Sequence, residues 1–245
     1  MNPILIFTGV EIEARALARA LGLSRQPSPG LHPAWGRLTR NGSQLLLTVG
    51  PRGEKLAEAL PDRPLAFLGV GLAGGLAPDV TPGCLVIGEQ VLDEAGRAWR
   101  SDPALVGFAI QGLSRLGLPH RVGTLVTESQ LVTTPAAKAS LWRRTGALAV
   151  DLESAHCLAE AHRQGIPALA VRAVADGPQM ALDPVWTDVV NTRGAINHGR
   201  LLKTLLGRPD LLIQAMRLWQ ASRRALSHLG RFLPEFLGEA DLRPP

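Results

Sequence analysis

The sequence predicts an α/β protein, a three-layer α/β/α sandwich with helices on both faces of a central sheet. Two observations carry this. Short runs that are almost wholly apolar, such as Ile4 to Thr8, Leu65 to Val70 and Ala168 to Val174, alternate with segments of helical periodicity. Strands without a polar face need cover on both sides, and the intervening helices supply it. A chain of 245 residues with 46% hydrophobic content holds enough apolar material for one large core.

Ile4 to Thr8 reads as a buried strand ending at Gly9, and Ile12, Ala16, Leu17 and Ala20 then recur at helical spacing over Glu11 to Leu21. Pro27 to Pro33 reads as a surface loop. Gln44 to Val49 is a second strand, followed by a Gly50-Pro51-Arg52-Gly53 turn and a helix near Lys55 to Leu60. Leu65 to Val70 and Cys84 to Val91 are further strands, Ala104 to Leu116 a helix, and Gly123 to Thr127 a strand. Leu148 to Val150 is extended and leads into a helix over Glu153 to Gln164. Ala168 to Val174 is again a strand, apolar except for Arg172. Gly177 to Gly199 is loop-rich, with Pro178 and Pro184.

The net charge of +5 is spread over scattered Lys and Arg, and tyrosine is absent. No basic run interleaved with aromatics marks a nucleic-acid groove. Cys84 and Cys157 are far apart, each alone in an apolar stretch, so neither a disulfide framework nor a CxxC metal site is expected. Buried thiols in a reducing cytoplasm fit them better. The opening residues lack the basic segment and length of a secretory signal. No run reaches the roughly 18 apolar residues of a membrane span.

Gly69, Gly71 and Gly74 spell GxGxxG after a strand. As a dinucleotide fingerprint this motif must open a helix, whose N-terminus holds the pyrophosphate. The following residues, Gly75 to Gly83, contain Pro78 and Pro82 and leave no room for one. The glycines instead fit close approach of backbone to a small ligand.

Three acids stand at strand ends: Glu13 just past the first strand, Glu153 after Ala149 to Leu152, and Asp176 closing the last strand. Ligands of open α/β sheets bind outside the carboxyl ends of strands, where convergent carboxylates form an acid/base site. Taken singly, Glu13 and Glu153 also suit helix N-termini, and Asp176 suits a turn with Gly177.

Gly69 to Leu76 (GVGLAGGL), Val150 to Ser154 (VDLES) and Arg172 to Asp176 (RAVAD) resemble signature segments of the nucleoside phosphorylase and nucleosidase superfamily. Thr8 to Ala14 (TGVEIEA) resembles the start of the methylthioadenosine/S-adenosylhomocysteine nucleosidases and futalosine hydrolase. The resemblance runs from residue 4 to about residue 177. It implies a nucleoside phosphorylase-like fold with a mixed central sheet, no metal or organic cofactor, and a homodimer. It further implies that Glu13 activates water, Glu153 holds the ribose hydroxyls and Asp176 protonates the purine. Leu131 and Val132 would then lie beside the base and Leu152 under the sugar. Leu72, Ala73 and Gly74 would line the ligand.

Phosphate-using members carry Ser or Thr where this chain has Leu72, so leucine together with Glu13 leans towards hydrolysis. Arg52 leaves phosphate open as a co-substrate. Ala175 stands where the nucleosidases carry a serine that hydrogen-bonds the aspartate.

After Asp176 the segments 182–203, 207–210 and 223–226 resemble the hopanoid-associated members, which release adenine from the lipid-linked nucleoside adenosylhopane. Independently, Leu212, Met216, Trp219, Leu226, Leu229, Leu233 and Phe236 give an amphipathic helix. Its charges are mostly Lys203, Arg208, Arg217, Arg223, Arg224 and Arg231. Such a stripe either lies in a membrane interface or packs on the domain or another subunit. The expected organisation is therefore a catalytic domain over residues 1–199 and a basic helical extension over 200–245. The expected activity is cleavage of a 5′-substituted purine nucleoside, in the cytoplasm or at the inner membrane face. A purine nucleoside phosphorylase and a non-catalytic membrane-surface binding protein stay open as alternatives.

Overall fold

The computed structural model describes residues 3–26, 34–38, 44–49, 64–183, 185, 199, 203, 207–208 and 211–239. The expected loop at Pro27 to Pro33, the Gly50 to Gly53 turn with Arg52 and the helix near Lys55 to Leu60 lie outside these residues, as does most of 184–210.

The described elements are β1 (Ile4–Thr8), α1 (Glu11–Leu21), β2 (Ser24–Gln26), β3 (Ala34–Leu38), β4 (Gln44–Val49), β5 (Ala66–Gly75), β6 (Leu85–Leu92) and β7 (Ala98–Arg100). They continue with α2 (Pro103–Arg115), β8 (His120–Thr127), α3 (Pro135–Thr145), β9 (Ala149–Asp151), α4 (Ser154–Gln164), β10 (Ala168–Asp176) and α5 (Leu211–Glu239).

The sheet is mixed. β1 pairs in parallel with β4 and β5, β5 with β10, β6 with β8, and β8 with β9. β9 runs antiparallel to β5, and β6 antiparallel to β10. Because β10 pairs with both β5 and β6, the strands β5, β10, β6, β8 and β9 form a closed circuit. This brings the ends of β5, β9 and β10 together, with Gly74 opposite both Val150 and Asp176.

β5 explains the closure. It runs to Gly75, five residues beyond the Val70 end expected from apolarity, so the GxGxxG glycines sit inside a strand. Its first half pairs with β1 and its last two residues with β9.

One face of the sheet is covered by α1, α2 and α5. Leu17 and Leu21 of α1, Leu113 of α2 and Ala225, Leu229, Phe232, Leu233 and Phe236 of α5 share a core with Ile6, Leu68 and Val171. Gly230 lets α5 close on α1, since a Cβ there would stand 3.0 Å from the Ala20 Cβ. The other face carries α4, with Cys157, Leu158 and Ala161 packed on Leu5, Phe7 and Phe67. Cys84 and Cys157 are both buried free thiols, and burial pushes the Cys157 thiol up to about 12.

The amphipathic stripe of α5 divides. Leu229, Leu233 and Phe236 are buried, whereas Leu212, Met216 and Trp219 are exposed. None of the described helices is long and apolar enough to cross a membrane.

Candidate active site

A pocket of about 680 Å³, counting its open mouth, lies where β5, β9 and β10 meet. Its walls include the nine residues assigned catalytic or ligand-lining roles from the sequence: Glu13, Leu72, Ala73, Gly74, Leu131, Val132, Leu152, Glu153 and Asp176. The size is that of a small-molecule site. Leu131 is 45% exposed at the rim, while Val132 packs against the small apolar cluster around Leu76, Leu141 and Val150.

Glu13 reaches the pocket from the first turn of α1, a helix that starts at Val10 without a side-chain cap. Its carboxylate takes over part of that role. Oε2 accepts from the Gly9 N–H at 3.2 Å, and Oε1 accepts from the Leu72 N–H at 2.8 Å, on the neighbouring strand. Burial pushes this carboxyl above its ordinary value, with Arg172 and the backbone N–H groups pulling the other way.

Arg172 is the group that the sequence reading noticed but gave no role. It projects from the middle of β10 and is wholly buried. Its Nε lies 2.5 Å from Asp151 Oδ2 and donates to Ser154 Oγ at 2.8 Å. Nη1 points to Glu153 Oε2 at 3.8 Å. Both Nη atoms lack a hydrogen-bond partner.

Asp151 is held from several sides. It accepts from Thr127 Oγ1 at 2.6 Å and from the Ser154 N–H and hydroxyl. Glu153, next along, occupies the N-cap position of α4 with φ −136°. Gly9 faces its carboxylate so closely that a Cβ there would come within 2.6 Å of Glu153 Cδ. A Cβ at Gly71 would likewise lie 2.5 Å from Arg172 Nη1 and 2.8 Å from Glu13 Oε2. Gly71 therefore serves close approach to side chains of the site, whereas Gly74 lines the pocket itself.

Asp176 ends β10, after a register shift against β5 between Val174 and Asp176. It forms an ion pair with the fully buried Lys138 of α3. Burial raises its carboxyl above the ordinary value, and Lys138 partly offsets this. Lys138 and α3 itself were missed from the sequence. The Thr134-Pro135 start and the Gly146 end were readable signals, since Thr134 Oγ1 caps Ala137 and Gly146 adopts φ 67°. The apolar stripe was too short to show, because the buried face is only Lys138 and Leu141.

An α/β sandwich that gathers four carboxylates, Glu13, Asp151, Glu153 and Asp176, round one pocket, with the Arg172 guanidinium buried behind them, defines a site for a small polar ligand. The family model for the Phosphorylase superfamily matches residues 4–206, and the chain belongs to that superfamily. It is 29% identical to futalosine hydrolase of Streptomyces coelicolor over 251 residues, covering 90% of this chain and 99% of that protein. It is 22% identical to 5′-methylthioadenosine/S-adenosylhomocysteine nucleosidase of Halalkalibacterium halodurans, over 60% of this chain and 70% of that one. Among solved structures, the fold is shared with the Helicobacter pylori nucleosidase of the latter name at TM-score 0.72 and 15% identity, covering 97% of this chain and 98% of that one. Futalosine hydrolase of the same organism matches at TM-score 0.71 and 15% identity, with the same coverage.

Proposed function

We propose that the protein is a nucleosidase that hydrolyses the N-glycosidic bond of a 5′-substituted purine nucleoside. The observation that carries this reading is the placement of Glu13 and Arg172 against one another, with Glu153 and Asp176 on the same pocket. Of the two relatives named above, one is called a hydrolase and the other a nucleosidase.

The reaction assigns each group one task. Water attacks the anomeric carbon and Glu13 takes its proton, while the buried Arg172 guanidinium behind Glu13 acts on that carboxylate through its charge. The bond from sugar to base breaks with its electron pair going to the base, and Asp176 delivers a proton to the imidazole ring of the purine. The sugar passes through an oxocarbenium-like state, as in glycoside hydrolysis. Glu153 accepts from the ribose hydroxyls and offsets the developing positive charge. Leu152 packs under the sugar, and Leu131 and Val132 flank the base.

Chromatography of free base released from 5′-substituted adenosines, with and without phosphate, tests the proposal. Release that needs no phosphate supports it. Release only with phosphate, yielding a sugar 1-phosphate, replaces it with a phosphorylase. Leu72, which offers no side-chain donor, opposes that second reading. Binding without turnover of any nucleoside would leave a non-catalytic binding protein.

The finer reading is a lipid-linked nucleoside such as adenosylhopane as substrate, with adenine released at the inner face of the membrane in hopanoid biosynthesis. Its support is the resemblance of the C-terminal segments, together with exposed Leu212, Ile213, Met216 and Trp219 beside exposed Arg217 and Arg223 on α5. Apolar and cationic groups on one helix suit an anionic interface. Ile213→Asp and Trp219→Asp should weaken binding to anionic liposomes; unchanged binding would remove this part. A homodimer belongs to the same reading and is tested by sedimentation.

A further inference from the structure

Lys138 is the one buried lysine among the described residues, and the reaction above gives it no task. It sits one turn into α3, and its side chain is wholly inaccessible. The ammonium carries three N–H donors, and three acceptors meet it: Asp176 Oδ2, the Gly177 carbonyl at 2.9 Å and the Met180 carbonyl at 3.0 Å. Burying such a charge costs several kcal/mol unless it is paired and fully hydrogen-bonded. Here each bond is spent on the end of β10 or the turn that follows it. The residue before Asp176 is Ala175, whose side chain has no donor to offer the carboxylate.

We propose that Lys138 is the positioning residue for Asp176: it fixes Oδ2 and the turn at residues 177–180, so that Oδ1 is presented to the ring nitrogen of the departing base. Lys138 touches no substrate and acts through the carboxylate. Among the described residues no other donor meets Asp176, whose side chain lines the pocket. The inference rests on the nucleosidase reading.

Lys138 also tunes the proton. The remaining charged groups of the pocket, Glu13, Asp151 and Glu153, gather round Arg172, whereas Lys138 is the charge whose field acts on Asp176. Burial pushes this carboxyl up and the ammonium draws it back down. Removing the ammonium should let Asp176 keep its proton to higher pH, while losing its aim.

Two substrates separate positioning from folding. A 5′-substituted adenosine needs a protonated leaving base; 4-nitrophenyl riboside does not, because nitrophenolate leaves unaided. In Lys138→Met, kcat for purine release should fall on the order of tenfold to a hundredfold with KM little changed. Nitrophenyl riboside cleavage should fall far less, and the basic limb of the purine pH profile should move upwards. Lys138→Gln, which keeps donors for the two carbonyls, should behave alike if the methionine variant folds poorly. Lys138→Met combined with Asp176→Asn should be no slower on purine than Asp176→Asn alone. Parallel losses on both substrates, an unmoved basic limb, or additive losses in the double variant would each overturn the proposal. A wild-type enzyme that cleaves neither substrate would overturn the nucleosidase reading, and this inference with it. An active wild type with parallel losses would overturn only the role of Lys138.

Discussion

Arg172 Nε stands 2.5 Å from Asp151 Oδ2, and neither side chain has any exposed surface. Asp151 is tied in turn to Thr127 and Ser154, so one carboxylate links β8, β9, α4 and β10. Breaking a buried pair by removing one charge costs about 3–5 kcal/mol, because the survivor stays buried and uncompensated. Asp151→Asn should therefore lower Tm by roughly 6–20 °C in a chain of this size. A thermal melt within 2 °C of wild type would show that the pair does not hold these elements together.

Glu13→Gln keeps the shape of the side chain and one carbonyl oxygen for the Leu72 N–H, but it cannot take a proton from water. Base release should fall about 10²- to 10⁴-fold. Binding of an uncleaved substrate analogue, read by calorimetry, should change little. Equal losses in binding and turnover would move Glu13 from base to ligand contact.

The same substitution has a pH signature in stability. Burial raises the Glu13 carboxyl, with Arg172 and the backbone N–H groups only partly opposing it. Folded protein thus holds this proton above pH 4.5, where the unfolded chain has released it. The stability contribution is fully present below pH 4.5 and is lost as pH rises through the folded value. Glutamine has no such loss, so the Tm of Glu13→Gln relative to wild type should climb between pH 4.5 and neutrality. A constant difference across that range would refute the direction. The acid limb of kcat/KM in the wild type should likewise lie above pH 4.5.

Gly9→Ala probes Glu153 without touching it. The added methyl would meet the Glu153 carboxylate at 2.6 Å, and the flexible end of that side chain can swing away at little cost to the fold. Stability should stay within about 1 kcal/mol. kcat/KM for a nucleoside should fall roughly tenfold or more, as expected for losing a charged hydrogen bond. A variant with full activity would show that Glu153 does not need its present position.

α5 should prove unequal along its length. Phe232 has no exposed surface, and Phe232→Ala should cost about 3–5 kcal/mol. Trp219 is 56% exposed, and Trp219→Ala should leave stability within about 0.5 kcal/mol. Denaturant midpoints of the two variants decide this, and similar losses in both would contradict the observed packing.

Much of this architecture was readable because its signals are local. β1, α1 and β4 have the bounds that apolar runs and spacing predicted, and β10 ends at the aspartate expected to close it. Each of the nine residues singled out lines the pocket. What escaped depends on pairing across the chain. β2, β3 and β7 are short or half-exposed strands that exist through their neighbours. β5 outruns its apolar segment because Gly74 and Gly75 find β9 across the circuit. Lys138 reads as a surface residue until Asp176, thirty-eight positions later, is seen against it. Arg172 stood out as the lone charge in a buried strand, but its partners lie on β9 and at the start of α4.

The packing of α5 also bears on how the chain is made. A ribosome delivers residues in order, and the face of β5 and β10 that Leu229, Phe232 and Phe236 cover is complete in sequence long before those side chains are synthesised. Until then the nascent chain carries an uncapped apolar surface on the strands that hold Arg172 and Asp176. Translation that stalls ahead of residue 225 leaves a product with its pocket residues present and its sheet exposed, a natural client for chaperones and proteases.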